Sequence, residues 1–269
     1  MACELLACRL FKCARLELFL HYTEEPGPRI VEAWRRGLTR VADGEPLQYV
    51  LGEWDFRHLT LTVDRRALIP RPETEQLVDL VLAAEDLWPA PVAAADGRGL
   101  PLILDVGTGS GCIVLSLATE RPQARYIAIE ASSEALELAR TNASRCNVTD
   151  RVEFRYARGC GEFAAGSVDA IIANLPYIPT AEIATLAACV RDHEPVQALD
   201  GGADGLDVIR AVAHDAVMVL RPGGWLFLEI GDDQGPATHD LLEDLGLLDV
   251  AILPDLGGKT RFATARHGA

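Results

Sequence analysis

The sequence predicts an α/β fold: a parallel sheet covered by helices on both faces, with a small helical segment ahead of it. Three observations carry that expectation. From residue 101 onward, short apolar runs of strand character alternate with longer runs of helical period, the pattern that builds parallel sheets. A glycine-rich turn, Asp105 to Gly111, joins the first of those strands to the helix that follows. The first 45 residues, by contrast, read as helix alone.

In chain order, Leu5, Leu6, Leu10, Leu16 and Leu20 recur at near-helical spacing among charges, and Pro26-Gly27-Pro28 breaks the run before a second helix over about 29–42. Tyr49 to Leu51 and Leu59 to Val63 read as two short strands punctuated by Gly52 and Asp64. Pro70-Arg71-Pro72-Glu73-Thr74-Glu75 opens a helix, because proline suits the first helical position and acids suit the positive end of the dipole. Leu77, Leu80, Val81 and Ala84 form its apolar stripe, and residues 88–100 read as a Pro/Ala/Gly linker. Seven strands are then expected, at 102–106, 125–130, 152–157, 168–173, 225–230, 248–253 and 260–265, with helices at 111–120, 132–145, 204–220 and 235–245. The organisation expected is a helical segment over 1–47, a hairpin linker over 48–66 and an α/β domain over 67–269.

Composition excludes several classes. The chain has 269 residues, 49% of them hydrophobic and 24% charged, which is the range of globular domains and not of disordered or collagenous chains. No apolar run is long enough to span a membrane. Charges at Glu4, Arg9, Lys12, Arg15 and Glu17 interrupt the N-terminal apolar stretches, so no export signal is read there and a cytoplasmic location is expected. The seven cysteines are scattered without a Cys-x-x-Cys pair, so free packed thiols are expected, with no metal. The net charge of −15 opposes tight binding to nucleic acid, which requires clustered cations.

In the turn Asp105-Val106-Gly107-Thr108-Gly109-Ser110-Gly111, glycines let the backbone bend sharply and approach a ligand closely. The next strand, Tyr126 to Glu130, ends on an acid, where a carboxylate can accept hydrogen bonds from the two hydroxyls of a ribose. Loop and acid together point to a nucleoside cofactor and leave a nicotinamide and S-adenosylmethionine as alternatives.

Asn174-Leu175-Pro176-Tyr177 follows the strand at 168–173 directly. That is the carboxyl edge, where open α/β sheets bind ligands. An amide or aromatic amine nitrogen is a poor nucleophile because its lone pair is delocalised. To take a methyl group it must be aligned, and its N–H groups must meet acceptors as positive charge develops. The Asn174 side-chain oxygen and the Leu175 carbonyl can be those acceptors. Pro176 stiffens the turn, and Tyr177 offers an aromatic face.

With these pieces in place, the sequence resembles the peptide-chain release-factor glutamine methyltransferases over nearly its whole length. The matching segments are Asp43 to Pro46, Leu68 to Glu75, the loop 105–111 and Asn174 to Tyr177. They continue with Glu194-Pro195, Ala198-Leu199, Gly202, Asp204 to Leu206, Leu220 to Gly224 and Glu229. The glycine loop is common to many methyltransferases; Pro70 to Glu75 is more specific. The resemblance implies a seven-stranded Rossmann-like methyltransferase sheet whose last strand is antiparallel. It also implies a helical N-terminal substrate-docking domain and a hairpin linker.

The implied activity is methyl transfer from S-adenosylmethionine to the glutamine amide of the Gly-Gly-Gln motif in class I release factors. Asp105, Gly107, Thr108, Gly109, Ser110 and Gly111 would form the cofactor loop. Glu130 would bind the ribose, and Asn174 to Tyr177 would hold the glutamine, with Asn174 also beside the cofactor. Three features depart from the family pattern: Leu175 replaces a proline, Arg158 and Gly159 stand where an acid and an aromatic are usual near the adenine, and the N-terminal region is short. Glu162 or a backbone N–H is the expected substitute at the adenine. Asn-Leu-Pro-Tyr is also similar to the motif of ribosomal-RNA dimethyladenosine transferases. The alternatives are therefore an N6-adenine methyltransferase on RNA or DNA, and a catalytically impaired binding protein.

Overall fold

The computed structural model of the chain describes residues 2–88 and 99–268. The linker expected over 88–100 lies almost wholly outside them. The N-terminal segment holds helices α1 (Ala2–Phe11) and α2 (Pro28–Ala42). Between them, Arg15–His21 forms a 3₁₀ turn, and Pro28 starts α2 at a position where its missing N–H costs nothing.

The strand expected at Tyr49 to Leu51 is instead a single helical turn, α3 (Leu47–Leu51). Pro46 precedes it, and Gly52, at φ 76°, closes it with a left-handed cap. The hairpin begins after that cap, with β1 (Glu53–Phe56) paired antiparallel to β2 (Leu59–Thr62). Helix α4 (Pro72–Ala83) starts where the proline pair predicts.

The remaining elements follow the expected alternation. They are β3 (Leu102–Val106), α5 (Cys112–Glu120), β4 (Arg125–Glu130), α6 (Ser133–Arg145), β5 (Val152–Tyr156) and β6 (Val168–Asn174). After them come α7 (Ala188–Arg191), α8 (Asp207–Val219), β7 (Leu220–Glu229), α9 (Gly235–Asp244), β8 (Leu248–Pro254) and β9 (Thr260–Arg266). The strand order is β5-β4-β3-β6-β7-β9-β8. Every pair is parallel except those made by β9, which runs antiparallel to both β7 and β8.

Every residue of β3 is buried, as a central strand covered on both faces requires. Its alternate residues feed two cores. Leu104 and Val106 pack toward Ile209, Val212 and Ala216 of α8, while Ile103 packs toward Val78 and Val81 of α4 and Val114 and Leu117 of α5. The connection after β3 turns one way along the sheet, to β4, and β6 lies on the other side of β3. The crevice between the ends of β3 and β6 is thus the switch point where such sheets bind ligands.

Candidate active site

The glycine loop and the Asn174 tetrapeptide lie side by side in that crevice. Val106 pairs with Ala173 across β3 and β6, so the next residues on each strand emerge together at the carboxyl edge. Gly107, Gly109 and Gly111 all take positive φ, at 75°, 55° and 86°, which only glycine adopts readily. A Cβ on Gly107 would sit 3.2 Å from Leu175 Cδ2 and 3.8 Å from the Asn174 carbonyl oxygen. The absent side chain keeps loop and tetrapeptide in contact.

The cleft is walled by Gly107, Gly109, Glu130, Ala131, Ser132 and Ala135 on one side and by Asn174, Pro176, Pro195, Gln197 and Ala198 on another. Arg66, Ala67 and Leu68 also line it. The other expected cofactor-loop residues turn inward. The Thr108 hydroxyl donates to Asp105 Oδ2 at 2.6 Å, and the Val114 N–H donates to the same oxygen at 3.2 Å. Asp105 Oδ1 is buried with no partner among the described residues. Desolvation pushes the Asp105 carboxyl up to about 7. Ser110 is buried, and its carbonyl accepts from Asn142 Nδ2 at 2.9 Å. The same Asn142 amide exchanges two hydrogen bonds with the Thr62 backbone, at 2.7 and 3.0 Å, and so stitches the hairpin to the loop.

Glu130 Oε2 accepts from the Gly109 N–H and Oε1 from the Ser132 N–H, both at 2.9 Å. Each oxygen keeps a second lone pair, and the side chain lines the cleft. A glycine cradle and an acceptor-only carboxylate at this spot fit the methionine and ribose parts of S-adenosylmethionine.

The substitutes expected at the adenine are largely committed elsewhere. The Cys160 and Gly161 N–H groups both donate to Asp215 of α8 at 2.9 Å, and a Cβ on Gly159 would fall 2.5 Å from that carboxylate. Glu162 faces Arg155 at 3.5 Å. Arg158 is exposed.

The tetrapeptide is braced from behind. Gln234 Nε2 donates to the Tyr177 carbonyl at 2.8 Å while its oxygen accepts from the Gly231 N–H. The Ile178 N–H donates to the Leu199 carbonyl, and the Gly201 N–H donates to the Ile178 carbonyl. A Cβ on Gly205, at φ 78°, would lie 2.3 Å from the Tyr177 carbonyl oxygen, so this loop packs backbone against backbone. The stiffness a second proline would give is therefore supplied by packing, and Leu175 is buried against the glycine loop. The Leu175 carbonyl is engaged by no turn or cap hydrogen bond among the described residues. Burial pushes the Tyr177 phenol up to about 12.

Three residues quoted only as part of a pattern have structural partners the sequence does not reveal. Glu194, buried, accepts from Arg71 at 2.5 Å and from the Ile69 N–H at 3.3 Å, which fastens the 64–72 strap across the cleft. Thr74 donates to Glu229 Oε2 at 2.7 Å, and Asn174 Nδ2 donates to Thr74 at 3.0 Å.

A seven-stranded sheet with the penultimate strand position reversed, a glycine loop at its switch point and an acid after the second strand define an S-adenosylmethionine-dependent methyltransferase of the Rossmann-like class. A methyltransferase-domain family model matches residues 103–194, and a PrmC N-terminal domain model matches residues 1–52. The chain belongs to the release factor glutamine methyltransferase family. It is 41% identical over 251 residues to the release factor glutamine methyltransferase of Cereibacter sphaeroides, covering 93% of this chain and 84% of that one. To the protein of the same name from Moorella thermoacetica it is 41% identical over 261 residues, covering 97% and 86%. Among solved structures it resembles the human METTL16 catalytic domain in complex with a MAT2A hairpin, with a TM-score of 0.60, 19% identity and coverage of 83% and 79%. It also resembles a methyltransferase from Pyrococcus furiosus, with a TM-score of 0.54, 18% identity and coverage of 87% and 99%. At those identities the structural likeness concerns the fold.

Proposed function

We propose that the chain methylates the side-chain amide nitrogen of the glutamine in the Gly-Gly-Gln motif of class I release factors. The observation that carries this reading is the position of Asn174 and Pro176 in one cleft with Gly107, Gly109 and Glu130, on one edge of the sheet. When bound, S-adenosylmethionine supplies an electrophilic methyl carbon.

The chain's own residues then align and stabilise. Gly107 and Gly109 would let the backbone approach the cofactor, and Glu130 would accept from its ribose. Asn174 Oδ1 and the Leu175 carbonyl accept the two N–H groups of the glutamine amide and turn its lone pair toward the methyl carbon. These two preorganised acceptors would stabilise the positive charge that grows on the amide nitrogen as it takes the methyl group. The nitrogen then loses one proton, which a water molecule can take. Pro176 and Tyr177 shape the apolar wall of this pocket.

Residues 1–47 act in this reading as the docking domain and 48–66 as its link to the methyltransferase domain, 67–269. Exposed Leu16, Phe19, Leu20 and Tyr22 give the first of these an apolar face. Seven bases balance seven acids in residues 1–52, so the whole excess of −15 lies beyond them. The two cations that face Tyr177 lie beside acids: Arg71 is bound to Glu194, and Arg261 lies 3.7 Å from Asp255. Such a surface suits a protein substrate better than a polyanion, and the RNA or DNA adenine alternative is not favoured. Nor is the impaired binding protein: the lining of one cleft by Asn174, Glu130 and the glycine loop supports an active site. Incubating the full chain with labelled S-adenosylmethionine, a class I release factor and, separately, ribosomal RNA tests the assignment. Label in the release factor alone is expected; label in RNA alone would overturn it.

A further inference from the structure

We infer that Thr74 and Glu229 are positioning residues that decide which end of the Asn174 carboxamide faces the substrate. This rests on the proposed function, and it assigns a task to the Pro70–Glu75 segment. Asn174 and Glu229 are paired neighbours on β6 and β7, and in a parallel sheet such residues project from the same face. Helix α4 descends on them from its Pro72 start and places Thr74 in its first turn. The Thr74 Oγ1 atom lies 2.7 Å from Glu229 Oε2 and 3.0 Å from Asn174 Nδ2.

A hydroxyl has one proton to give. An ionised carboxylate can only accept, so the Thr74 proton goes to Glu229. The Thr74 oxygen must then accept, and of the two ends of a carboxamide only the NH₂ can donate to it. Asn174 Nδ2 is thereby held inward, and Oδ1 is left for the cleft. Thr74 and Glu229 are 1% and 2% exposed, so water is poorly placed to substitute. Without the relay, the amide could turn by half a rotation and present N–H groups to the substrate's N–H groups, which would repel the nitrogen that has to be held. The charged or titratable groups facing Glu229 are Glu73 from α4, Arg261 from β9, Tyr177 from the tetrapeptide and Cys112 from the start of α5. Burial raises the Glu229 carboxyl to about 7.

The test uses the full chain with S-adenosylmethionine and a class I release factor. T74V is expected to lower kcat about 10- to 100-fold, the scale of a misplaced catalytic group. KM for the release factor and Kd for the cofactor should change less than about threefold. T74S, which restores the hydroxyl, should recover most of the rate. E229Q, which keeps an oxygen acceptor at all pH values, should retain more activity than E229L. In wild type kcat should fall as Glu229 protonates below about pH 7, and that limb should be absent in E229Q.

The proposal is overturned if T74V turns over like wild type, if T74S is as impaired as T74V, or if kcat and cofactor affinity fall together. A wild-type protein inactive on release factors would count against the functional assignment. The relay is then judged by ¹⁵N NMR, with the Asn174 side-chain amide signal identified by its loss in N174A. Slow hydrogen exchange of that amide, made fast by T74V, supports the relay; free exchange in wild type refutes it.

Discussion

Asn174→Ala separates alignment from cofactor binding, because the side chain donates inward to Thr74 and, in the proposed relay, keeps its oxygen for the substrate. Inward, the loss is the 3.0 Å bond from Nδ2 to Thr74. A neutral hydrogen bond contributes about 0.5–1.5 kcal/mol, and Thr74 keeps its stronger partner in Glu229 at 2.7 Å, so the fold should weaken by no more than about that amount. Outward, the loss is one of the two acceptors proposed for the reacting amide. Removing one preorganised group of this kind typically costs about 100- to 1000-fold in rate, or about 2.7–4 kcal/mol. Single-turnover methylation of a release factor, with cofactor Kd measured by calorimetry on the same preparation, reads both quantities. The expected result is a turnover loss in that range with Kd changed only a few-fold. An equal loss in both would show that Asn174 serves the cofactor and that its assignment as substrate acceptor is mistaken.

Other substitutions should separate the remaining parts of the site. Glu130→Ala should weaken cofactor binding more than tenfold by calorimetry, since it removes the proposed ribose acceptor and the brace on Gly109, yet much of the single-turnover rate should return at saturating cofactor. Gly107→Ala must hold an L residue at φ 75° with its Cβ 3.2 Å from Leu175; a loss of at least about 1 kcal/mol in denaturant unfolding is expected, with cofactor binding lost as the loop shifts. Asp105 and Glu229 both have carboxyls raised to about 7 by burial. Between the ordinary carboxylate range and that value the folded chain binds more protons than the unfolded one, so their contribution is present at low pH and is lost as pH rises through about 7. The melting temperature should therefore fall between about pH 5 and about pH 8, and Asp105→Asn should flatten that slope.

Much of this architecture is legible in the sequence because central strands such as β3 are buried on both faces and read as nearly continuous apolar runs, with Asp105 the exception in β3. The turn around Gly107 and the acid at Glu130 are local features as well, as is the Pro72 start of α4. Tyr49 to Leu51 misleads because β-branched and aromatic residues carry strand propensity, while the flanking Pro46 and left-handed Gly52 impose one helical turn. What sequence reading misses is contact across distance. Thr74 and Glu229 are 155 positions apart, and neither has a neighbour in sequence that hints at the other. The clasp of Glu194 on Arg71 spans 123 positions, and the Asn142 stitch to the hairpin spans 80. Asp215 takes up the N–H groups of Cys160 and Gly161, and only the folded chain shows that they are not free for an adenine.

The central claim is that two oxygens beside the glycine loop hold a glutamine amide for methylation, and peptide mass spectrometry of a class I release factor tests it most directly. After incubation with the full chain and S-adenosylmethionine, the peptide bearing Gly-Gly-Gln should gain the mass of one methyl group, and fragmentation should place it on the glutamine side chain. An unmodified peptide, from a protein shown by calorimetry to bind the cofactor, would contradict the account.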